Sequence, residues 1–489
     1  MTLRLPTLGL LTALASFVAT APAAERGSIP ATPEPLIPSS FALAIPDPAP
    51  LRHELARGAV AYVVPDPSVP MVEVVVVSTA GEDLDPPGGR GTAGLTAAML
   101  RRGGAGERDP AAFDLEAARL AAELDSFSGA HRAGAVLDVA AWHLDEGLDL
   151  LFDMLARPRF DRERLAMVRE SLADGLVAGE SDPAVVGSRA WESATARPGE
   201  TLAVPLRPAG IRALAVEDLV AFHRRHWRPE RLVFAVSGAV EPERFVADLE
   251  RRLGDWPAGE PRTPELDRDD RVARGAAPSP RFRAVDLSTA GAVVVAGHRL
   301  EATGARPAAD GYAALVLEEL VAGGSVNRFV GRLRTDLGLV YGIDAELDLA
   351  PRRSGRWLAL FHCAAPVVGE ALEAWLEEVA RLRSEPVPDA IVEAARRSIL
   401  GRLRARFDTA SGVAGTFAED ELVGRDHGFW LRMAAGLREV TGTRVRAAAR
   451  ELLRPEGLPV VVVGPGEQVR RALRDAPRLP DEWRRGGGG

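Results

Sequence analysis

Two stretches of this 489-residue sequence resemble each other, RPERLVFAVSGAV at residues 228–240 and RPEGLPVVVVGPG at residues 454–466. Each runs from an Arg-Pro-Glu triplet through an apolar segment to a glycine, Gly238 in the first copy and Gly464 in the second. The triplets and the glycines are separated equally, since 454 − 228 and 464 − 238 both equal 226. Two anchors at one offset indicate a tandem duplication, and they predict two similar halves in which a strand ends at a glycine before a helix.

The duplication sets the predicted domain organisation. We expect an N-terminal domain at residues 50–254 and a C-terminal domain at residues 281–480. A linker rich in proline and charged residues joins them at residues 255–280. Residues 24–49, rich in proline and alanine, are predicted to be an extended tether, and residues 481–489 a disordered tail.

Strand and helix patterns predict the fold class. Apolar runs at residues 59–66 and 72–81 predict a β-hairpin at the start of the first half. A similar run at residues 291–300 begins the second half. Helical periodicity follows at residues 110–127, 144–158 and 162–176, and again at 371–385 and 388–407. Regular strand–helix–strand alternation is absent. The pattern therefore predicts an α+β protein of two duplicated domains, each a largely antiparallel sheet covered by helices.

The first 23 residues are predicted to be a signal peptide. Arg4 provides the positive start, Leu8 to Ala19 the apolar segment, and Ala21-Pro22-Ala23 a small-residue cleavage site. The apolar segment is too short to span a bilayer. We therefore expect an exported protein, periplasmic or secreted, and leave open whether the signal peptide is cleaved.

Composition and charge exclude several classes of function. Apolar residues make up 46% of the chain, a fraction typical of globular proteins. The formal net charge of −9 argues against nucleic acid as the main partner. Cys363 is the only cysteine, so neither an internal disulfide nor a cysteine-based zinc site is available. Its strand-like surroundings favour a place in the core.

A search for catalytic groups finds none. Of the eight histidines, only His223 and His226 approach the helical spacing of metal ligands, and two arginines lie between them. They are interpreted as surface histidines at a helix end. The neighbouring carboxylates Glu318 and Glu319 are interpreted as part of a solvated helix face.

Three longer stretches carry a resemblance to a known family. They are GTAGLTAAMLRRGG at residues 91–104, AFHRRHWRPERLVFAVSGAV at 221–240 and ALVLEELVAGGSVNRFVGRLRTDLGLVY at 314–341. Together they resemble the pitrilysin/insulinase family of zinc peptidases, in the half-size form of processing-peptidase subunits. The resemblance covers the chain from about residue 50 to residue 480.

The resemblance implies a degenerate zinc motif. Active members carry His-x-x-Glu-His on the first helix, and Gly94, Ala97 and Ala98 stand at those three positions. Among residues 94–98, only the Thr96 hydroxyl has a lone pair to offer a metal. The third ligand of the family is a glutamate, for which Glu170 is the nearest candidate. The chain is therefore expected to bind no metal and to have no catalytic residue, with zinc on a partner subunit.

The resemblance also implies a pair of substrate-binding residues. In the non-catalytic subunits of such pairs, an arginine and a tyrosine seven positions apart reach across the dimer cavity to hold substrate. Arg334 and Tyr341 match this spacing. From the residues alone, Arg334 would cap a helix end near Gly338 and Tyr341 would pack at a strand start. Arg328 and Arg332 are expected to face solvent or a neighbouring element.

Two functions follow as expectations. The first is a non-catalytic, substrate-binding subunit of an exported heterodimeric zinc endopeptidase that degrades or processes peptides, with a homologous partner carrying His-x-x-Glu-His. The alternative is a catalytically inactive homodimeric binding or scaffold protein of the same fold.

Overall fold

Two sheets, one in each half of the sequence, organise this computed structural model. It describes residues 45–196, 200–256, 282–300, 311–324, 327–348, 355–426 and 428–485. The strands are β1 Arg52–Glu54, β2 Val60–Pro65, β3 Met71–Ser78, β4 Glu123–Ser128, β5 Ala133–Ala140, β6 Leu232–Gly238, β7 Phe282–Asp286, β8 Ala292–Leu300, β9 Val340–Asp348, β10 Gly355–Cys363 and β11 Val460–Gly464. The predicted signal peptide, the tether up to residue 44 and nearly all of the linker lie outside the described residues.

Helices cover both sheets. They are α1 Thr92–Arg102, α2 Pro110–Arg119, α3 Leu144–Ala156, α4 Arg162–Ala178, α5 Pro183–Thr195, α6 Pro208–Ala213, α7 Val216–His226, α8 Pro242–Gly254, α9 Gly311–Ala322, α10 Val368–Ser384, α11 Asp389–Phe407, α12 Ala410–Val423, α13 Phe429–Arg438, α14 Gly442–Leu452, α15 Gly466–Arg474 and α16 Asp481–Arg484. A π-helix spans Val330–Asp336. None of the helices in the described part of the chain has the length and apolar composition that a membrane span requires.

The sheets share one topology, as the duplication predicts. The first has the strand order β1-β2-β6-β3-β5-β4 and the second β7-β11-β8-β10-β9. Apart from β1, each strand of the first sheet has a counterpart in the second, and the repeated strands β6 and β11 occupy the same place. All pairings are antiparallel except β2 with β6 and β7 with β11. The predicted α+β class with largely antiparallel sheets is confirmed.

The predicted opening hairpin is wrong, because β6 separates β2 from β3. β2 pairs with β6 in parallel, and β3 pairs with β6 in the antiparallel sense. At the end of β6, Gly238 has φ = +118°, and a Cβ there would lie 2.1 Å from the carbonyl oxygen of Met71. A glycine is therefore required where β6 runs beside β3. The hairpin failed because a strand from far along the chain provides the better pairing.

The helix predicted at residues 110–127 is shorter than its periodicity. It ends at Arg119, and residues 123–128 form β4, the edge strand of the first sheet. The predicted disordered tail at residues 481–489 also differs from the structure. Asp481–Arg484 form α16, in which Trp483 is buried and stacks on Phe282 with ring centroids 5.7 Å apart. A single large aromatic side chain holds this segment against the second sheet.

The two halves exchange helices. Helix α5, from the first half, packs on β8 and β11 of the second sheet, where Trp191 forms a core cluster with Val293, Val295, Val461 and Val463. Helix α12, from the second half, packs on β2 and β6 of the first sheet, where its Phe417 contacts Tyr62. Each sheet therefore has its own helices on one face and a helix of the other half on the opposite face.

Polar contacts accompany each exchanged helix. Glu421 of α12 accepts two hydrogen bonds of 2.9 Å from the Arg52 guanidinium and one of 2.8 Å from the Tyr62 hydroxyl. On the other side, Arg299 of β8 pairs with Glu200 at 2.9 Å, and its guanidinium lies 5.7 Å from the Trp191 ring centre. These charged groups are bidentate or partly buried, and such geometry favours a real contribution to stability.

We predict that Trp191→Ala destabilises the fold by about 3–5 kcal/mol, because it empties a fully buried site between α5 and the second sheet. The matched control is Trp142→Ala, since the Trp142 side chain is 69% exposed, and it should change stability by no more than about 0.5 kcal/mol. Urea unfolding followed by far-ultraviolet circular dichroism measures both. Equal effects of the two substitutions would contradict the exchanged-helix packing.

Candidate substrate-binding site

The positions predicted to correspond to the zinc motif of the family lie on α1. Gly94 and Ala98 share the partly exposed side of this helix, whereas Ala97 is buried. None of the three has a side-chain atom that can bind a metal. Thr96 is fully buried, and its hydroxyl oxygen has no hydrogen-bond partner among the described residues. The hydroxyl therefore points into the core.

The candidate third ligand, Glu170, is engaged elsewhere. It lies on the exposed side of α4 and accepts a hydrogen bond of 2.9 Å from Arg212, which also pairs with Asp174 at 3.2 Å. Within the described residues, no group of three or more His, Cys, Asp or Glu side chains is arranged to bind a metal ion. The residues at this site do not fit zinc.

The segment that carries Arg334 and Tyr341 is fixed by buried neighbours. The Asn327 side chain accepts hydrogen bonds from the backbone N–H groups of Phe329 and Val330, at 2.9 and 3.1 Å, and so caps the helix that leads into the π-helix. Phe329 and Leu333 are fully buried on the inner side of this segment. The outward side is therefore left to polar residues.

The turn between the π-helix and β9 determines where the two side chains meet. The backbone N–H of Gly338 donates to the Arg334 carbonyl at 3.2 Å, and Gly338 has φ = +63°, a conformation that glycine adopts without strain. β9 then begins with buried Val340, so the next residue, Tyr341, points to the other side of the strand. The tyrosine thereby faces the helix end that carries Arg334.

Arg334 and Tyr341 form an exposed pair. The Arg334 guanidinium carbon lies 6.0 Å from the centre of the Tyr341 ring, at the outer limit of a cation–π contact. The Tyr341 side chain is 85% exposed, and Arg334 forms no ion pair with any described residue. The alternative in which Tyr341 packs at the strand start does not describe this geometry. Nearby Arg328, in contrast, pairs with Glu378 of α10 at 2.6 Å.

The exposed pair has the hydrogen-bond donors needed to bind a peptide. A guanidinium with unused donors binds a carboxylate or peptide carbonyls in a bidentate manner. A phenol hydroxyl can donate a hydrogen bond to an oxygen that develops negative charge. Both donors project from the same helix–strand junction, so one extended peptide can contact both.

A cavity beside α1 was not predicted from the sequence. It has a volume of about 560 Å³ and lies between the end of α1, the edge strand β4 and the exposed face of α4. Its wall carries Arg101 and Arg102 from α1 and Met167 from α4, whose side chain is 65% exposed. Arg101 donates to the carbonyl of Leu124 on the edge strand at 2.6 Å. The cavity depends on the strand β4, which the sequence predicts to be part of helix α2.

Comparison with known proteins shows which sequences this chain is similar to. The family description "Peptidase M16 inactive domain" matches residues 213–399. The chain is 21% identical over 347 residues to an uncharacterised zinc protease of Mycobacterium leprae, with 68% of this chain and 73% of that protein covered. It is 23% identical over 399 residues to a probable mitochondrial-processing peptidase subunit beta of Arabidopsis thaliana, with 79% and 73% covered.

Residues 213–399 of this chain are therefore similar to the peptidase M16 family. The predicted resemblance to pitrilysin/insulinase-type and processing peptidases is confirmed. The matched region carries the description of an inactive domain and includes Arg334 and Tyr341.

Solved structures of the M16 type share the fold. A peptidase M16 inactive domain from Pseudomonas fluorescens matches with a TM-score of 0.75 and 18% identity, covering 85% of this chain and 97% of that one. The periplasmic protease PqqL of Escherichia coli matches with a TM-score of 0.67 and 15% identity, covering 88% of this chain and 47% of that one. A chain of complex III2 from Candida albicans matches with a TM-score of 0.66 and 15% identity, covering 87% and 99%.

The predictions for the histidine pair and for the cysteine have different outcomes. His223 and His226 end α7 as predicted, but they are buried rather than on the surface. The His223 ring nitrogen Nε2 lies 2.8 Å from the Leu155 carbonyl oxygen, and burial lowers the pKa of His223 to about 4. Cys363 is buried in β10, as predicted, and burial raises the pKa of its thiol to about 12.

The interpretation of Glu318 and Glu319 as a solvated face is wrong. Glu319 is buried and paired with Arg402 of α11, while one of its carboxylate oxygens has no partner among the described residues. Burial raises the pKa of Glu318 to about 7, with Arg402 opposing the rise and the charges of Glu319, Asp348 and Glu346 adding to it. Glu318 therefore lies close enough to Asp348 and Glu346 of β9 to be affected by their charges.

We predict that this protein loses stability as the pH rises from about 4.5 to about 7. In that window Glu318 keeps its proton in the native state, whereas the unfolded chain, with a pKa near 4.5, has released it. Each rise in pH therefore favours the unfolded state. Glu318→Gln should flatten this decline in the midpoint of thermal unfolding, whereas Glu370→Gln on an exposed face should leave it unchanged. An unchanged pH profile in Glu318→Gln would contradict the assignment.

Proposed function

We propose that this M16 chain is the non-catalytic, substrate-binding subunit of an exported heterodimeric zinc endopeptidase. Arg334 and Tyr341 hold the peptide, and a homologous partner with an intact His-x-x-Glu-His provides the zinc. The observation that carries the proposal is the exposed Arg334–Tyr341 pair, whose donors are not used within the described structure.

The degenerate helix supports the division of labour. Gly94, Ala97 and Ala98 have no metal-binding atoms, so zinc chemistry requires another chain. The Arabidopsis relative is named as the beta subunit of a mitochondrial-processing peptidase. A peptide held by this chain over the zinc of its partner fits both observations.

Export is part of the proposal. The first 23 residues have the charge, apolar segment and small-residue site of a signal peptide. The structural relative PqqL is described as periplasmic. We therefore place the heterodimer outside the cytoplasm, with short or unfolded peptides as substrates.

The second candidate is an inactive homodimeric binding or scaffold protein. It is favoured by the similarity of the fold to a chain of complex III2 from Candida albicans. In this alternative the Arg334–Tyr341 pair has no role in hydrolysis, and no partner with a zinc motif exists.

The deciding experiment is peptide hydrolysis with zinc analysis. The chain is assayed alone and after co-purification with an M16 protein that carries His-x-x-Glu-His and is encoded beside it. Activity and one equivalent of zinc should occur only in the mixed complex. If the mixture is no more active than the partner alone, the proposal fails, and a zinc-free homodimer would establish the second candidate.

Two substitutions in the mixed complex separate the roles of the pair. Arg334→Ala should raise KM by about tenfold or more, because it removes charge-assisted hydrogen bonds to the bound peptide. Tyr341→Phe should lower kcat by about tenfold with little change in KM, because it removes a donor used in the transition state. The control is Arg332→Ala, two positions earlier on the π-helix, which should change neither constant by more than about twofold. Equal losses in all three variants would refute the assignment.

A further inference from the structure

A second cavity lies far from the Arg334–Tyr341 pair in sequence, at the C-terminal end of the described chain. It has a volume of about 570 Å³ and is lined by Arg470 and Arg474 of α15, by Asp481 and Arg484 of α16, and by Arg485. We call it the arginine cavity. Four guanidinium groups and one carboxylate give its wall a formal charge of +3, in a chain whose net charge is −9.

The fold brings these arginines together from two helices. Arg470 and Arg474 are four positions apart, so they lie on the same side of α15. Buried Trp483, stacked on Phe282, anchors α16 and thereby places Arg484 and Arg485 opposite them. The cluster is therefore held by core packing rather than by a chance approach of long side chains.

Most donors in the arginine cavity are unused. Arg470, Arg474 and Arg485 are exposed and form no ion pair with any residue that the structure describes. Arg484 pairs with Asp481, but its buried Nε has no acceptor in the described part of the chain. Elsewhere in this protein many arginines are paired with carboxylates, as Arg478 is with Glu373. Like charges gathered without counter-ions favour a multivalent anion.

The lining selects the class of anion. Guanidinium groups bind phosphate and carboxylate oxygens in a bidentate manner, but a single carboxylate neutralises only one of them. Two phosphoryl groups, each with a charge of about −1.5 to −2, match the wall of +3. The lining contains no aromatic side chain on which a nucleobase could stack, since Trp483 is turned into the core.

We propose that the arginine cavity binds a diphosphate group, with Arg470 and Arg474 on one side and Arg484 and Arg485 on the other. The ligand is either a diphosphate in solution or phosphate groups displayed on a lipid surface, which offer the same oxygens. This site does not depend on the proposed peptidase function.

The first test is isothermal titration calorimetry of the full chain with inorganic pyrophosphate at about 150 mM salt. Saturable binding at one site is expected, and R470A/R474A should weaken it by at least about tenfold. The matched control is R471A, because Arg471 is equally exposed on α15 but lies outside the cavity lining. It should change the affinity by less than about twofold. Circular dichroism checks that the exposed substitutions leave the fold intact.

Three outcomes of the titration would overturn the proposal. They are no saturable binding at millimolar pyrophosphate, equal weakening in R471A and R470A/R474A, and equal affinity for citrate. The last result would indicate general attraction of multivalent anions rather than selection of phosphoryl groups.

The second test separates the two sources of phosphate. Vesicles with phosphatidic acid and vesicles with phosphatidylserine, matched in surface charge, are sedimented with the full chain. Preference for phosphatidic acid, released by pyrophosphate and lost in R470A/R474A, identifies a lipid surface as the source. Absence of vesicle binding together with pyrophosphate binding identifies a soluble diphosphate. Vesicle binding that persists in R470A/R474A overturns the lipid source.

Discussion

Burial of both faces of each sheet is the constraint on which the structure depends. The central strand β6 has four consecutive residues, Val233 to Val236, that are nearly or fully buried, and β11 is buried throughout. A strand with apolar side chains on both sides requires cover on both sides. The helices of one half cover only one face, and the exchange of α5 and α12 provides the second layer. Neither half has enough helices to bury both faces of its own sheet.

This mutual dependence explains how Glu421 of the exchanged helix α12 finds its partners in the other half. Glu421 reaches the first sheet only because α12 lies across it, and there it meets Arg52 and Tyr62. The same principle governs the segment that carries Arg334. Buried Phe329 and Leu333 fix the inner side of the helix, so the outer side presents Arg334 without help from polar neighbours. In both segments, packing of buried residues determines the position of the polar side chains.

The contrast between paired and unpaired arginines is the main electrostatic feature of the protein. Buried carboxylates such as Glu319 and Glu378 are matched by arginines, because an unpaired buried charge is costly. Arg334 and the arginines of the cavity near α16 are exceptions at the surface. Such groups remain hydrated at little cost in the free protein, and they are available to an anionic or peptide ligand.

The sequence by itself determined the duplication and the fold class, because these follow from local pattern. The family resemblance added the prediction that Gly94, Ala97 and Ala98 stand where zinc ligands would be. It also singled out Arg334 and Tyr341, whose contact the structure then provides. Tertiary structure alone decided the order of the strands, the exchange of helices, the burial of the predicted surface histidines and acidic pair, and both cavities. Each of these depends on residues far apart in sequence, whose competition for the same partners local periodicity does not encode.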